Sequence, residues 1–150
     1  MTPRLESRHD HAEDSPGLLL WQLTNRWQAA QRAALKPFGL THVQFVLLAS
    51  LAWLDAEEPV TQRALADHAA TDPMMTSQVI RVLAERGLVE RTAHPDDARA
   101  RALRATPDGA RLANRANVAV EACDEQFFTR LGARLPAFVT ALRTLHAEQS

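Results

Sequence analysis

The side chains that could do chemistry in this sequence cluster between residues 61 and 106, and their chemistry is hydrogen bonding and charge. Pro73 is followed by the run MMTSQ at residues 74–78, which carries thioether, hydroxyl and amide side chains. Arg99 follows the turn-forming run HPDDA at residues 94–98. An amide such as that of Gln78 can bond two edge atoms of adenine, and a guanidinium group suits a narrow, electronegative minor groove. This stretch therefore indicates contact with DNA rather than a covalent reaction.

Two short helices separated by a turn are predicted to position these side chains. Thr61 is the expected N-cap of the first helix, in which Leu65 and Ala69 share an apolar face. Asp72 is the expected N-cap of the second helix, and Pro73 suits its first position because the missing N–H costs no hydrogen bond there. The residues expected inside are Val79, Ile80 and Leu83, and those expected to project outward are Met75, Thr76, Gln78 and Arg81.

A two-stranded hairpin is predicted to follow the second helix. Gly87 is expected to end that helix, and residues 88–92 alternate as a strand does. Residues 94–98 form the tip, and residues 101–105 form the returning strand. This order is that of a winged helix-turn-helix, whose second helix enters a DNA major groove while the wing reaches the neighbouring minor groove. We therefore expect a mainly α protein with a small β-hairpin wing.

The charge of the chain is local rather than general. A formal net charge of −1 excludes a broadly cationic, histone-like binder. From residue 81 to residue 104, six arginines outnumber four acidic residues, whereas the first fifteen residues hold two arginines and four acids. The residues predicted to contact DNA are Thr61, Gln62, Met75, Thr76, Ser77, Gln78, Arg81, Arg91, Asp97 and Arg99.

Long helical patterns with apolar faces flank this module. Residues 17–54 and 107–148 are predicted to form dimerisation helices around the winged helix-turn-helix at 55–106, all within one domain of residues 17–150. A flexible acidic arm is expected at residues 1–16. One small winged domain cannot bury apolar helices at both termini, so a homodimer is predicted.

The run DARARALRAT at residues 97–106, followed by PDG, resembles the signature of the MarR (multiple antibiotic resistance regulator) family of transcription factors. That signature has an Asp and an Arg two apart, a strand, and then Thr-x-x-Gly opening a long helix. Residues 39–45 and 82–89 are also similar to the family, and the resemblance covers roughly residues 17–146. By this resemblance, Arg99 would be the minor-groove arginine and Asp97 its positioning partner.

The resemblance also implies partners. In the family, the terminal helices form a dimer that places two recognition helices on a pseudo-palindromic operator in double-stranded DNA, about 34 Å apart. Members commonly bind small aromatic ligands in a cleft between the dimer helices and the winged domain. We therefore expect a repressor that such a ligand releases. Trp21, His42 and Phe45 are the predicted effector contacts, because tryptophan and histidine can stack on and hydrogen-bond an aromatic acid.

Two other functions remain open on the sequence, namely a redox-responsive regulator that uses Cys123 and a DNA-independent protein-interaction module. The histidines are scattered without metal-ligand spacing, and we find no catalytic constellation or phosphate-binding glycine loop. Neither enzyme activity, nor a metal, nor a cofactor is therefore expected. Because no apolar run spans a bilayer and the N-terminus lacks the core of a signal peptide, a cytoplasmic protein without a membrane partner is predicted.

Overall fold

The computed structural model describes residues 1–54 and 60–149, with side chains described as far as residue 147. In these residues the α-helices are α1 (Pro16–Leu35), α2 (His42–Trp53), α3 (Gln62–Ala69), α4 (Pro73–Glu85), α5 (Pro107–Phe128) and α6 (Leu135–Gln149). The strands are β1 (Val60–Thr61), β2 (Val89–Ala93) and β3 (Arg101–Ala105). Short 3₁₀ turns lie at Ala12–Asp14, Lys36–Phe38 and Thr129–Arg134. The mainly helical architecture with a small antiparallel sheet confirms the predicted fold class.

Side-chain caps explain where the first two helices begin. The Ser15 hydroxyl accepts a hydrogen bond from the backbone N–H of Leu18 at 3.3 Å, which starts α1 one residue before the predicted Gly17. Thr41 and Gln44 form a reciprocal capping box at α2, with distances of 3.0 and 3.2 Å. Such caps satisfy backbone N–H groups that have no partner within the helix.

The helix-turn-helix forms as the sequence predicts. Thr61 caps α3, and Ala70 ends it in the left-handed region at φ 53°. The Asp72 carboxylate accepts from the N–H of Met75 at 2.9 Å, and Pro73 occupies the first position of α4. Two helices are thereby joined by a turn of three residues, 70–72.

The predicted hairpin is part of a three-stranded sheet. Strands β2 and β3 pair antiparallel, with Arg91 opposite Leu103, and β1 adds to the other edge of β3 through Val60. Strand β1 was not predicted, because two residues are too few to show an alternating pattern. The predicted start of the winged module, residue 55, lies outside the described residues.

Helix α2 lies at the centre of the core. It packs against α1, α3, α4, α5 and β3, and its Leu47 and Leu48 are fully buried. Leu65 of α3, Ile80 of α4 and Leu103 of β3 join the same cluster. Because each buried leucine or isoleucine stabilises the fold by about 1.5 to 3 kcal/mol, this cluster ties the winged module to the long helices.

Helices α1 and α6 keep apolar side chains on the outside. The exposed members are Leu18, Leu19, Leu20, Trp21, Leu23, Leu135, Leu142 and Leu145. Apolar surface of this extent on a folded chain is typical of a protein–protein contact. No single described helix is long and apolar enough to cross a bilayer, although Pro16–Phe38 and α2, which meet at 76°, pass that test as a bent pair.

The junction between the sheet and α5 depends on Gly109. Its backbone N–H donates to the Thr106 hydroxyl at 3.0 Å, and that hydroxyl donates to the carbonyl of Gly87 at 2.7 Å. A Cβ atom on residue 109 would lie 2.0 Å from the carbonyl oxygen of Leu88. Only glycine therefore allows α5 to start this close to the exit of α4.

The prediction that Thr76 projects outward is wrong. Its side chain is fully buried, and its hydroxyl lies 2.8 Å from the carbonyl of Asp72 and 2.7 Å from the hydroxyl of Thr71. Residue 76 precedes Ile80 by one helical turn, so it lies on the inward face of α4. Thr76 therefore stabilises the turn between the two helices instead of facing a ligand.

Gly109→Ala is expected to lower the free energy of unfolding by about 2 to 4 kcal/mol, because the added methyl group meets backbone that cannot move alone. Gly17→Ala in α1 is the matched control, since its Cβ would have no atom within 4 Å. Urea denaturation measures both variants. Equal stability of the two would show that the close approach at Leu88 is not real.

Thr76→Val is expected to cost about 1 to 2 kcal/mol of stability, because valine has a similar shape but leaves the Thr71 hydroxyl without its buried partner. Thr129→Val removes a comparable hydroxyl from an exposed site, where water replaces the bond to Glu125, and should cost less than about 0.5 kcal/mol. Thermal melting without DNA distinguishes the two. A Thr76→Val protein as stable as the parent would contradict the buried hydrogen bond.

Candidate nucleic-acid interface and adjoining cavity

Helix α4 presents a row of exposed side chains on the face opposite the core. Met74 is 72% exposed, and Met75, Gln78 and Arg81 are also exposed. Among the described residues, neither Gln78 nor Arg81 has a hydrogen-bond or ionic partner for its side chain. The row therefore offers apolar, amide and guanidinium groups to a binding partner.

The other predicted contacts near the helix-turn-helix are less accessible. Ser77 and Gln62 are half-buried. The Thr61 hydroxyl accepts from the N–H of Ala64 at 3.0 Å, so its oxygen already serves as a helix cap. With Thr76 buried, the exposed predicted contacts on α4 are Met75, Gln78 and Arg81.

The wing tip holds Arg99 on an ordered turn. The Asp97 carboxylate accepts from the N–H of Arg99 at 2.9 Å, and the Asp97 carbonyl accepts from the N–H of Ala100 at 3.1 Å. Such a side-chain turn fixes the backbone through Asp97. The guanidinium of Arg99 is exposed and makes no hydrogen bond within the described parts of the chain. The Asp97 side chain thus orients the backbone of Arg99 and does not contact its guanidinium group.

Not every arginine of the winged module is available to a ligand. Arg86, at the end of α4, donates to the carbonyl of Gly39 at 3.0 Å and to the amide oxygen of Gln44 at 3.3 Å. It therefore joins the end of α4 to the start of α2. Arg91 on β2 and Arg101 on β3 are exposed, which places cationic groups on both strands of the wing.

A cavity of about 750 Å³ opens between α2, β3 and α5, on the core side of the wing. Its apolar walls include Phe45, Ala49 and Val120, and its polar walls include carboxamide and carboxylate groups of α5. The complete lining is Phe45, Val46, Ala49, Ser50, Leu51, Ala52, Trp53, Leu103, Arg104, Ala105, Ala110, Ala113, Asn114, Asn117, Val120, Glu121 and Asp124. A volume of this size is typical of small-molecule sites.

A polar cluster that the sequence did not reveal lies at one end of this cavity. Asp124 Oδ1 accepts from Trp27 Nε1 at 2.8 Å and from Gln31 Nε2 at 2.7 Å. The ring of His42 meets Trp27 edge to face, with centroids 5.0 Å apart. Burial and the nearby Arg32 lower the pKa of His42, while Asp124 opposes that shift. His42 is therefore held in its neutral form near pH 7.

The structure does not bring the three predicted effector residues together. Phe45 is buried and lines the cavity, whereas Trp21 and His42 are absent from its lining. Trp21 is 69% exposed on α1. His42 packs against Trp27. This cavity is thus not formed by all three residues.

The structure disfavours a reactive thiol. Cys123 is half-buried, and both burial and the neighbouring Asp124 raise the pKa of its thiol. A redox-sensing cysteine needs the opposite surroundings, exposed and electropositive. Across residues 1–54 and 60–149, no group of three or more His, Cys, Asp or Glu side chains could hold a metal ion.

Comparison with known proteins agrees with this geometry. The profile of the MarR family matches residues 40–100. The uncharacterized HTH-type transcriptional regulator YdcH of Bacillus subtilis is 43% identical over 123 residues, which cover 81% of this chain and 84% of YdcH. The HTH-type transcriptional repressor Rv2887 of Mycobacterium tuberculosis is 35% identical, over 81% of this chain and 86% of the repressor.

Solved structures extend the similarity to the fold. The crystal structure of Rv2887 in complex with salicylic acid matches with a TM-score of 0.70 and 33% identity, over 90% of this chain and 99% of that one. CouR from Rhodococcus jostii RHA1, bound to p-coumaroyl-CoA, matches with a TM-score of 0.81 and 28% identity, over 92% and 96% of the two chains. The chain therefore belongs to the MarR family of transcriptional regulators, DNA-binding proteins without enzymatic activity.

Proposed function

We propose that this chain is a homodimeric repressor that binds a pseudo-palindromic operator and is released from it by a small aromatic ligand. The observation that carries the proposal is that Gln78 and Arg81 of α4 and Arg99 at the wing tip are exposed and have no side-chain partner among the residues that the structure describes. A helix and a wing with free polar groups match the two grooves that a winged helix-turn-helix contacts.

The proposed role of α4 is to read bases in the major groove. Gln78 can bond adenine through both its amide atoms, while the exposed Met74 and Met75 suit contact with a thymine methyl group. Arg81 lies one helical turn beyond Gln78, where it can bond a guanine or a phosphate.

The proposed role of the wing is to place Arg99 in the adjacent minor groove. The bond from Asp97 to the backbone of Arg99 orders the tip before DNA arrives. Preordering reduces the entropy that binding must overcome. The phosphate backbone is proposed to be contacted by Arg91 and by the half-buried Ser77 and Gln62. Thr61 is proposed to contribute by capping α3 close to the phosphates.

The homodimer is proposed to form through α1, α5 and α6. The exposed leucines of α1 and α6 supply an apolar surface that a second copy would cover. Two copies related by a two-fold axis place two α4 helices in successive major grooves, about 34 Å apart. The symmetry of the protein then requires a pseudo-palindromic site.

The ligand is proposed to occupy the cavity between α2, β3 and α5. Relatives of this chain have been crystallised with salicylic acid and with p-coumaroyl-CoA, both of which carry an aromatic ring. Because β3 belongs to the wing and α5 to the proposed dimer scaffold, a ligand between them can change the spacing of the two recognition helices. Contact of the ligand with Trp21 and His42 stays a prediction, since neither residue lines this cavity.

Selection of bound fragments from random double-stranded DNA tests the function. The parent protein is expected to enrich a pseudo-palindrome with half-sites one helical turn apart, and Gln78→Ala is expected to lose preference at one symmetric pair of positions. Thr129→Val, which alters an exposed residue of the 3₁₀ turn after α5, is the control and should enrich the parent sequence. Failure of the parent to enrich any sequence would refute the proposal, and an unchanged Gln78→Ala profile would remove Gln78 from base reading.

Arg99→Ala is expected to weaken operator binding about 5- to 150-fold, the equivalent of about 1 to 3 kcal/mol, without lowering the melting temperature. Arg8→Ala removes the same charge from an exposed position before α1, outside the helices proposed to form the dimer, and is expected to leave affinity unchanged. Gel-shift titrations at several salt concentrations measure both, and affinity of the parent should fall linearly on logarithmic axes as salt rises. Equal affinity of the Arg99→Ala variant and the parent would contradict minor-groove contact by the wing.

A further inference from the structure

The two ends of the cavity differ in charge, because different parts of α5 line them. Lining residues of α5 extend from Ala110 to Asp124, which is about 21 Å along a helix at 1.5 Å per residue. Arg104 and Ala105 of β3 lie at the wing end, near the start of α5. Glu121 and Asp124 lie at the far end, so one end of the cavity carries two carboxylates.

The Asp124 carboxylate is held in a fixed position. Both of its protein hydrogen bonds, from Trp27 and Gln31, go to Oδ1. The side chain of Gln31 is fully buried, and its own Oε1 atom has no hydrogen-bond partner. The second oxygen of Asp124, Oδ2, accepts no hydrogen bond from any residue that the structure describes. One oxygen of a positioned carboxylate is therefore left for a donor from outside the protein.

Among the described residues, no cationic side chain lines this end of the cavity; Arg32 lies close enough to lower the pKa of His42, but it does not line the cavity. Glu121 accepts only from the amide of Asn117 at 3.0 Å, and within residues 1–54 and 60–149 neither Glu121 nor Asp124 forms an ion pair. The neighbouring His42 has a lowered pKa and is neutral near pH 7. Arg104 lies at the wing end and is paired in register with Glu90 of β2. Carboxylates that face a cavity without a counter-charge favour a cationic ligand group.

We propose that the ligand of this cavity is an aromatic cation whose protonated amine or amidine binds Asp124 Oδ2, with Glu121 beside it. Its ring would lie against Phe45, Ala49 and Val120 in the apolar part of the cavity. This inference rests on the proposed ligand-responsive function and deepens it. The inferred ligand differs in charge from salicylic acid, with which a relative of this chain was crystallised. The carboxylate of such a ligand would be repelled by Asp124 and Glu121 at this end of the cavity.

Three probes with the same phenylbutyl body test the inference, namely 4-phenylbutylamine, 4-phenylbutyrate and 4-phenylbutanol. Tryptophan fluorescence reports binding, since Trp53 lines the cavity and Trp27 is bonded to Asp124. Isothermal titration calorimetry on the full chain gives the affinities. The amine is expected to bind at least about tenfold more tightly than the acid, with the alcohol between them.

Asp124→Asn is the matched variant, because asparagine keeps an acceptor for Trp27 and Gln31 while it removes the charge. It is expected to abolish the preference for the amine over the alcohol. Glu121→Gln removes the second carboxylate charge and leaves the bonds of Asp124 intact, because Glu121 bonds only Asn117 among the described residues; it should reduce that preference severalfold. Glu125→Gln removes an exposed carboxylate of α5 that does not line the cavity, and it should leave all three affinities unchanged.

The inference is overturned if 4-phenylbutyrate binds as tightly as the amine, if no probe binds, or if both Asp124→Asn and Glu121→Gln keep the parent's preference. Operator binding measured in the same buffer separates this result from failure of the proposed function. Release of operator by 4-phenylbutyrate but not by the amine would retain the ligand-responsive repressor and reject the cationic ligand. Absence of operator binding by the parent would instead reject the repressor itself.

Discussion

The arrangement of this molecule depends on the hydrogen-bonded junction between the exit of α4 and the start of α5. The Thr106 backbone N–H donates to Leu88 at 3.0 Å, and the Thr106 hydroxyl joins Gly87 to Gly109. Because residue 109 has no side chain, the backbones approach closely enough for these bonds to form. The recognition helix, the wing and the long helix α5 are thereby held as one unit. A displacement of α5 must then displace the elements proposed to read DNA.

The cavity lies where this unit meets the central helix α2. Its walls come from α2, from β3 of the wing and from α5, so an occupant contacts both the reading module and the scaffold. A ligand changes DNA affinity only if it binds two arrangements of these elements unequally, and DNA must then change ligand affinity by the same factor. The positioned Asp124 carboxylate gives such a ligand a fixed anchor on the scaffold side.

Local signals account for what the sequence predicted well. Caps at Thr61 and Asp72, and the proline at position 73, are short-range interactions that give helix starts directly. The sequence could also have predicted the burial of Thr76, because this residue precedes Ile80 by one helical turn and shares its face. The sequence could not have predicted the polar cluster, since Asp124 lies 97 residues from Trp27 and 93 from Gln31. Contacts this distant follow from packing, which a single sequence does not specify.

Hydroxyl-radical footprinting of the selected operator tests the central claim most directly, namely that two recognition helices and two wings contact one DNA site. The account predicts protection related by two-fold symmetry, with two protected stretches of backbone one helical turn apart, where the recognition helices lie, and a protected minor groove outside each. Methylation interference at guanine N7 in the major groove, and at adenine N3 in the flanking minor grooves, should show the same spacing. A single asymmetric patch, or uniform protection without periodicity, would contradict the account.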